Sequence, residues 1–528
     1  MKQLVFVGYS LSTALLLSAA WPMMPFTFLI FAAFVPLLIL AEKNIQQKQY
    51  FLYCFIATLG WNATTTWWIW NSTDVGSVAA IVANSILMCL PLCAYFSIRK
   101  KVTINIAYIA FITFWMLFEY IHLNWQLSWP WLSLGNVFAN KRSWIQWYEF
   151  TGIGGGSLWV LICNVLIKKC YDAWLIQLRK FTIVVSTLIV IVFPIVVSAL
   201  IQPKKANSKL QGNVVIVQPN VDPYQKFNEA NASSQINQLV QLTHQTIDSN
   251  TLLTVWPETA LSITTLQSAI TQNISYQPVF DLVKKYPKNT LVTGIETYTN
   301  YGFEKRTKTA RKASDGSFYD VFNAAISLHN NDEVSIYNKS KLVPGVESMP
   351  TFLNFMSSVF EQFGGTTGGY GRNDSSEVFA ASGNPYIVAP VICYESIYGE
   401  YVSSYIQKGA NIIAIITNDG WWGNTPGHQQ HLAYAQLRAI ETRRWIARSA
   451  NTGISAVINN MGEIVVSEKW DTIGTLKIPI PTENRLTFYV KHGDYLYKIL
   501  SIIGVFLFAM HMYKNVVAKI KLRNVGKK

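Results

Sequence analysis

The chain has 528 residues, a hydrophobic fraction of 51%, only 14% charged residues and a formal net charge of +14. A soluble domain carries about a quarter charged residues, so the composition excludes an ordinary soluble enzyme, and part of the chain must be solvated by lipid. The basic excess does not indicate nucleic acid: the lysines and arginines lie between apolar runs and at the C-terminal end, where anionic lipid heads attract them.

In chain order, residues 1–203 read as a seven-span transmembrane domain, with spans near 3–19, 23–41, 51–70, 76–98, 103–122, 145–167 and 181–202. Each approaches the ~20 apolar residues a helical span requires. Lys2 precedes an apolar run ending in Ser18-Ala19-Ala20, as in a cleaved signal peptide. The run resumes directly after Trp21-Pro22, which favours a retained helical hairpin. An eighth span, 493–513, lies in a C-terminal segment, 491–528, that ends in a basic tail.

The linkers with Lys43 and Lys48, with Arg99, Lys100 and Lys101, and with Lys168, Lys169, Arg179 and Lys180 fall on one side, as does the tail from Lys514 to Lys528. The linker Asn71 to Gly76 has no basic residue. The positive-inside rule then makes both termini cytoplasmic and places 204–490 outside. Eight spans satisfy this arrangement; seven do not. Trp125, Trp129, Trp131, Trp144 and Trp147 around one outer linker read as an interfacial aromatic belt. Gly152-Ile-Gly154-Gly155-Gly156 reads as a helix break or a point of close packing.

Between 210 and 485 the pattern changes. Short β-branched runs alternate with polar helical stretches: Asn213–Gln218, Leu252–Trp256, Thr290–Glu296, Val321–Ser327, Tyr386–Cys393, Asn411–Thr417 and Ile454–Asn459. That alternation predicts an α/β domain with buried strands. Of six cysteines, only Cys393 lies in this domain, at the end of the run Ile387–Ile392. It has no disulfide partner there, so it is either a buried inert thiol or a used one. Glu258 follows Leu252–Pro257, and Lys339 follows another β run in Tyr337-Asn338-Lys339. Each alone is more often a solvated charge. Together, an acid, a lysine and a thiol at the ends of separate strands supply a general base, an oxyanion stabiliser and a nucleophile.

With these motifs the chain resembles the nitrilase superfamily, which uses Glu, Lys and Cys in this chain order, and within it the apolipoprotein N-acyltransferases. The resemblance rests on Trp256-Pro-Glu258-Thr-Ala260, Tyr337-Asn-Lys339…Leu342-Val-Pro344…Glu347 and Ile392-Cys393-Tyr394-Glu395. It continues through Thr417-Asn-Asp-Gly-Trp-Trp-Gly423, Arg438-Ala-Ile-Glu441 and Asn451-Thr-Gly453. It implies a nitrilase αββα sandwich beside the eight-span bundle, with Glu258 as base, Lys339 as oxyanion partner and Cys393 as nucleophile. Glu347, Tyr394 and Glu395 match positions the family needs beside the triad. Two departures stand out: Pro344-Gly345-Val346-Glu347 replaces the family's Pro-Phe-Gly-Glu, and Phe227 stands where the family has tryptophan.

The implied reaction is acyl transfer without metal or cofactor. The donor is a phospholipid such as phosphatidylethanolamine, and the acceptor is the N-terminal amine of S-diacylglyceryl-cysteine in an apolipoprotein. The implied setting is the bacterial inner membrane, with the catalytic domain on the periplasmic face. The alternative is a membrane-tethered nitrilase-type amidase acting on a soluble substrate with water as acceptor. His428 and His431 are three apart but lack an accompanying acidic motif, which favours a structural role over a metal site. The apolar run Phe352, Phe355, Phe360 and Phe363, beside Gly364-Gly365 and Gly368-Gly369, reads as a lipid-dipping arm that gates the cleft.

Overall fold

The computed structural model describes residues 2–177, 181–201, 210–330, 333–348 and 369–525. The proposed arm around Phe352 to Phe363 lies outside the described residues. Two compact units emerge, one of residues 1–67, 78–200 and 494–528, the other of residues 68–77 and 201–493.

In the first unit, six helices among the described residues are long and apolar enough to cross a membrane: Lys2–Ala20, Asp74–Arg99, Ile104–Asn124, Tyr148–Leu175, Phe181–Leu200 and Tyr495–Val517. Two of the eight expected spans differ. The run 51–70 forms a full-length helix, Gln47–Thr66, but Gln47, Lys48, Gln49 and Asn62 dilute its apolar character. The run 23–41 is not one helix. It is a 3-10 segment, Thr27–Ala32, followed by the short helix Val35–Ala41. Proline explains the break: it lacks an N–H and suits only a helix's first turn, so Pro36 starts a new helix instead of continuing the old one.

The glycine run 152–156 does both things the sequence allows. Gly152 breaks the helix Tyr148–Leu175 with a φ of 58°. A Cβ on Gly156 would sit 1.8 Å from the Tyr148 hydroxyl, so only glycine permits that approach. Trp131 and Trp147 depart from the expected belt: both are buried, and Trp129 stacks on Trp131 at 5.5 Å. The unit is knotted by Glu119, a buried carboxylate that accepts from Trp115 Nε1 (2.9 Å), the Leu134 N–H (2.8 Å), Ser157 Oγ (2.7 Å) and Tyr497 OH (2.6 Å). Four donors offset the desolvation of a carboxylate in apolar surroundings, and Tyr497 brings the C-terminal helix to them.

The second unit holds two sheets. The first contains β1 (Leu210–Gln218), β2 (Thr251–Val255), β3 (Leu261–Leu266), β4 (Thr290–Asn300), β5 (Arg311–Lys312), β6 (Phe318–Leu328), β7 (Val334–Asn338) and β14 (Gly474–Pro481). Its order is β14-β1-β2-β4-β6-β5, with β3 paired to β4 and β7 to β6. The second contains β8 (Phe379–Ala380), β9 (Ile387–Ile392), β10 (Ile412–Thr417), β11 (Ile446–Ala450), β12 (Ala456–Ile458) and β13 (Ile464–Ser467), in the order β13-β12-β11-β10-β9-β8. The strands β1, β2 and β4 run parallel, as do β9, β10 and β11.

Alternation along the strands sorts side chains into layers. Val214 and Ile216 of β1 join Val388, Ile412 and Ile416, which share one face of the second sheet, in a core between the sheets. Val215 and Val217 face the other way, into a second core with Ile236, Leu239, Val279 and Leu282 of the helices Glu229–Thr246 and Gln277–Lys285. Val402 and Ile406 of the helix Gly399–Gln407 and Leu432, Ala435 and Ala439 of the helix Pro426–Thr442 cover the second sheet. The result is an αββα sandwich. Burial on both faces accounts for the near-continuous apolar runs in the parallel strands.

Candidate active site

Three strand ends deliver the predicted acid, lysine and thiol. Beyond β2, Trp256 N–H donates to the Val292 carbonyl (2.9 Å) and Gly294 N–H to the Pro257 carbonyl (3.0 Å), so pairing with β4 carries on to the residue before Glu258. Just past Glu258, Thr259 adopts a φ of 45°. Beyond β7, Lys339 N–H donates to the Asn323 carbonyl at 2.9 Å, which keeps Lys339 in register with β6. Beyond β9, Cys393 itself has a φ of 48° at the start of the 3-10 turn Cys393–Ile397. A left-handed conformation costs a non-glycine residue roughly 1–2 kcal/mol. Here it turns a half-buried thiol off the strand end.

Glu258 and Lys339 meet directly: Lys339 Nζ lies 3.1 Å from Glu258 Oε1 and 2.8 Å from Glu347 Oε1. Asn323 Nδ2 donates to the same two oxygens, at 2.8 and 3.0 Å. Two carboxylates thus share one cation and one amide, and all four groups are buried. Glu347 Oε2 also takes the Val343 N–H at 2.8 Å, fixing the loop despite its Pro-Gly-Val-Glu sequence.

The electrostatics separate the roles. Burial pushes the Glu258 carboxyl up, but the Lys339 charge, the Asn323 hydrogen bond and Lys226 outweigh it and hold the group below the usual carboxylate range. Burial would strip Lys339 of its proton, yet Glu258 and Glu347 more than compensate and raise it well above the ordinary value. Burial, and then the Glu258 charge, drive the Cys393 thiol upward, only partly countered by Lys339. The resting pair is therefore a carboxylate and a neutral thiol, and the three charged or ionisable groups interact with one another.

Glu395, predicted beside the triad, links two of its loops. Its carboxyl accepts from Tyr337 OH (2.6 Å) and the Ser340 N–H (2.7 Å) on the lysine side, and from the Ile392 N–H (2.9 Å) on the cysteine side. Tyr394 is buried with its ring 5.4 Å from that of Tyr398. Phe227 is 43% exposed on the loop after β1, one residue beyond the buried Lys226.

Asn323 and Lys226 escaped the sequence reading, and the structure gives His431 and His428 their partners. Asn323 interrupts the apolar strand Val321–Leu328 with a buried amide, a signal that was legible but not used. Lys226 Nζ donates to the Glu258 carbonyl at 2.5 Å. His431 braces the cysteine turn: Nε2 lies 2.9 Å from Ser396 Oγ and 3.2 Å from the Cys393 carbonyl, while Nδ1 lies 2.9 Å from Asp419. Arg448 in turn holds Asp419 at 2.6 Å. His428 faces Asn424 and stacks on Trp470 at 4.1 Å.

An αββα sandwich with acid, lysine and cysteine at its strand ends defines a nitrilase-like catalytic unit, here in one chain with an apolar helical bundle. A family model of carbon-nitrogen hydrolases matches residues 213–485, and one of the apolipoprotein N-acyltransferase N-terminal domain matches residues 13–166. The chain is 30% identical over 499 residues to the apolipoprotein N-acyltransferase of Chlorobaculum tepidum, covering 92% of each chain. It is 24% identical over 482 residues to that of Vibrio parahaemolyticus, covering 87% of each. The chain belongs to the apolipoprotein N-acyltransferase family.

Proposed function

We propose that the protein matures lipoproteins by two-step acyl transfer through a thioester on Cys393, with Glu258 as base and Lys339 as oxyanion partner. The observation that carries this reading is the buried Glu258–Lys339–Glu347 cluster, electrostatically tied to a thiol on a strained strand end. Glu258 takes the thiol proton as sulfur attacks the ester carbonyl of a phospholipid. Lys339 faces the oxyanion that develops, and the Tyr394 backbone N–H completes the hole. Collapse breaks the ester C–O bond, and Glu258 returns the proton to the departing lysophospholipid. The free amine of a diacylated apolipoprotein then attacks the thioester and gives its proton to Glu258. The C–S bond breaks, an amide forms and the thiol is restored. An ester-to-amide exchange needs no nucleotide, which suits a site outside the cytoplasm.

The phospholipid donor follows from the family resemblance and from the apolar unit that shares the chain. So does the setting: eight spans in the bacterial inner membrane, both termini cytoplasmic, catalytic unit on the outer face. In that reading the helix Gln47–Thr66 and the broken segment Thr27–Ala41 supply the two spans beyond the six long apolar helices.

The test is incubation of purified protein with phospholipid labelled in its acyl chain, with and without a diacylated lipopeptide. Wild type should form a hydroxylamine-labile adduct that the lipopeptide discharges as amide. Cys393→Ser should fold and insert but form no such thioester. A labile adduct in that variant would sink the nucleophile assignment, and hydrolysis of a soluble amide by a wild type that takes no acyl group from phospholipid would favour the amidase alternative.

A further inference from the structure

Lys226 is only 1% exposed on the loop after β1, a position where a lysine ordinarily reaches solvent. Among the described residues its ammonium has one hydrogen-bond acceptor, the backbone carbonyl of Glu258 at 2.5 Å, and no carboxylate within ion-pair distance. Three N–H groups are available and one is used. A buried cation so sparsely partnered is costly unless its charge serves the surroundings.

The surroundings are the catalytic cluster. Glu258 and Glu347 bring two negative charges against the single positive charge of Lys339. Glu258, Cys393 and Lys226 act on one another electrostatically, and Asp419 adds a further negative charge on the cysteine side, itself paired with Arg448. A second lysine balances the two carboxylates. It also grips the main chain of the general base beside the left-handed Thr259.

We propose that Lys226 is a second cationic positioning residue of the acyl-transfer site, one that anchors the backbone of Glu258 and keeps the base ionised and ready to take the Cys393 proton. The proposal rests on the assignment of Glu258 and Cys393 above. Removing the charge leaves the cluster with a net negative excess, which makes both Glu258 and Cys393 harder to ionise. The pH at which the pair becomes competent therefore moves up.

The experiment is the pH profile of Cys393 alkylation by iodoacetamide in full-length protein, for wild type, Lys226→Met, Lys226→Gln and Lys226→Arg, with Cys393→Ser identifying the labelled thiol. In the Met and Gln variants the alkylation rate at pH 7, where Lys226 is charged, should fall by roughly 3-fold or more, and thioester formation at pH 7 should fall about 10-fold. Lys226→Arg should keep the wild-type rate at pH 7. A folded Met or Gln variant that alkylates at the wild-type rate at pH 7 would overturn the proposal. So would failure of both neutral variants to fold, since Lys226 would then be a structural post. A wrong cysteine assignment shows differently, as thioester formation that survives Cys393→Ser.

Discussion

At the scale of single residues, the site works by sharing. Lys339 is the cation that Glu258 and Glu347 share, each within 3.1 Å of its ammonium. In Lys339→Ala Glu258 faces Glu347 with only Asn323 between them, and without the lysine charge that holds it down Glu258 becomes harder to ionise. Thioester formation should fall on the order of 10²-fold or more, because the proposed mechanism loses both the charge that keeps its base ionised and its oxyanion partner. Pre-steady-state acylation at the wild-type rate would make Lys339 a structural ion-pair partner only. Lys226 gives a pH dependence of its own. Burial pulls its ammonium down to about 8, against the raising influence of Glu258 and Cys393. Its charge is present below pH 8 and lost above it, so the rate of thioester formation should decline as pH rises through 8. Lys226→Arg should remove that decline. Measuring the first half-reaction alone keeps ionisation of the acceptor amine out of the profile.

The same scale shows what the sequence could convey. The strand-end placement of Glu258, Lys339 and Cys393 was legible because each closes a β-branched run, and Glu347 and Glu395 stand out because they accompany them in motifs. Lys226 was not: a lysine in a polar loop reads as solvated, and only the fold folds it inward beneath Glu258. His431 likewise looked structural, and its partners are indeed hydrogen-bonding ones, but nothing in its spacing pointed to the Cys393 turn.

At the scale of elements, the seven β-branched runs all became strands, because residues buried on both faces leave a strong apolar signature. Of the strands that went unread, β13 and β14 are short or half-exposed edge segments, whereas β11 is central and buried but carries Arg448 and Ser449 in a run of five residues. The broken second span has a related cause, since hydropathy alone does not register what Pro25 and Pro36 do to a helix. Strand contacts also set the geometry of the base. A Cβ on Gly294 of β4 would lie 2.3 Å from the Thr259 nitrogen and 2.6 Å from the Glu258 Cα, both backbone atoms with nowhere to yield. Gly294→Ala should therefore displace Glu258 while leaving both sheets intact. Misplacement of a catalytic group by about 1 Å can cost 10²-fold, so thioester formation should drop by about 10- to 100-fold. Retained activity with a lowered melting temperature would instead mean that the strain spreads into the sheet.

At the scale of the whole molecule, the prediction concerns sidedness. Basic residues cluster in the linkers around Lys43 and Lys48 and around Arg99 to Lys101, whereas Asn71 to Gly76 has none. Lys168 weighs less than the sequence implied, because it is buried against Glu42 at 2.8 Å and Asp172 at 2.5 Å and its charge is neutralised locally. The remaining bias still favours an inner face for the Arg99 to Lys101 linker. The linker without basic residues carries a second clue that the sequence did not. Residues 68–77 belong to the catalytic unit, where Asn71 donates to the Trp422 carbonyl at 2.8 Å and Trp68 meets Trp422 edge-on at 4.8 Å. Ser72 and Cys393 thus lie in one compact body and must share a face of the membrane. In intact cells a membrane-impermeant maleimide should label Ser72→Cys, which is exposed, and should reach Thr103→Cys, also exposed, only after the membrane is opened. The parent protein, with its six free thiols, sets the background. The reverse labelling order would turn the catalytic unit to the cytoplasm and remove the diacylated lipoprotein as its acceptor. Labelling of both sites from outside would mean that the helix Asp74–Arg99 does not cross, and the eight-span count would fail with it.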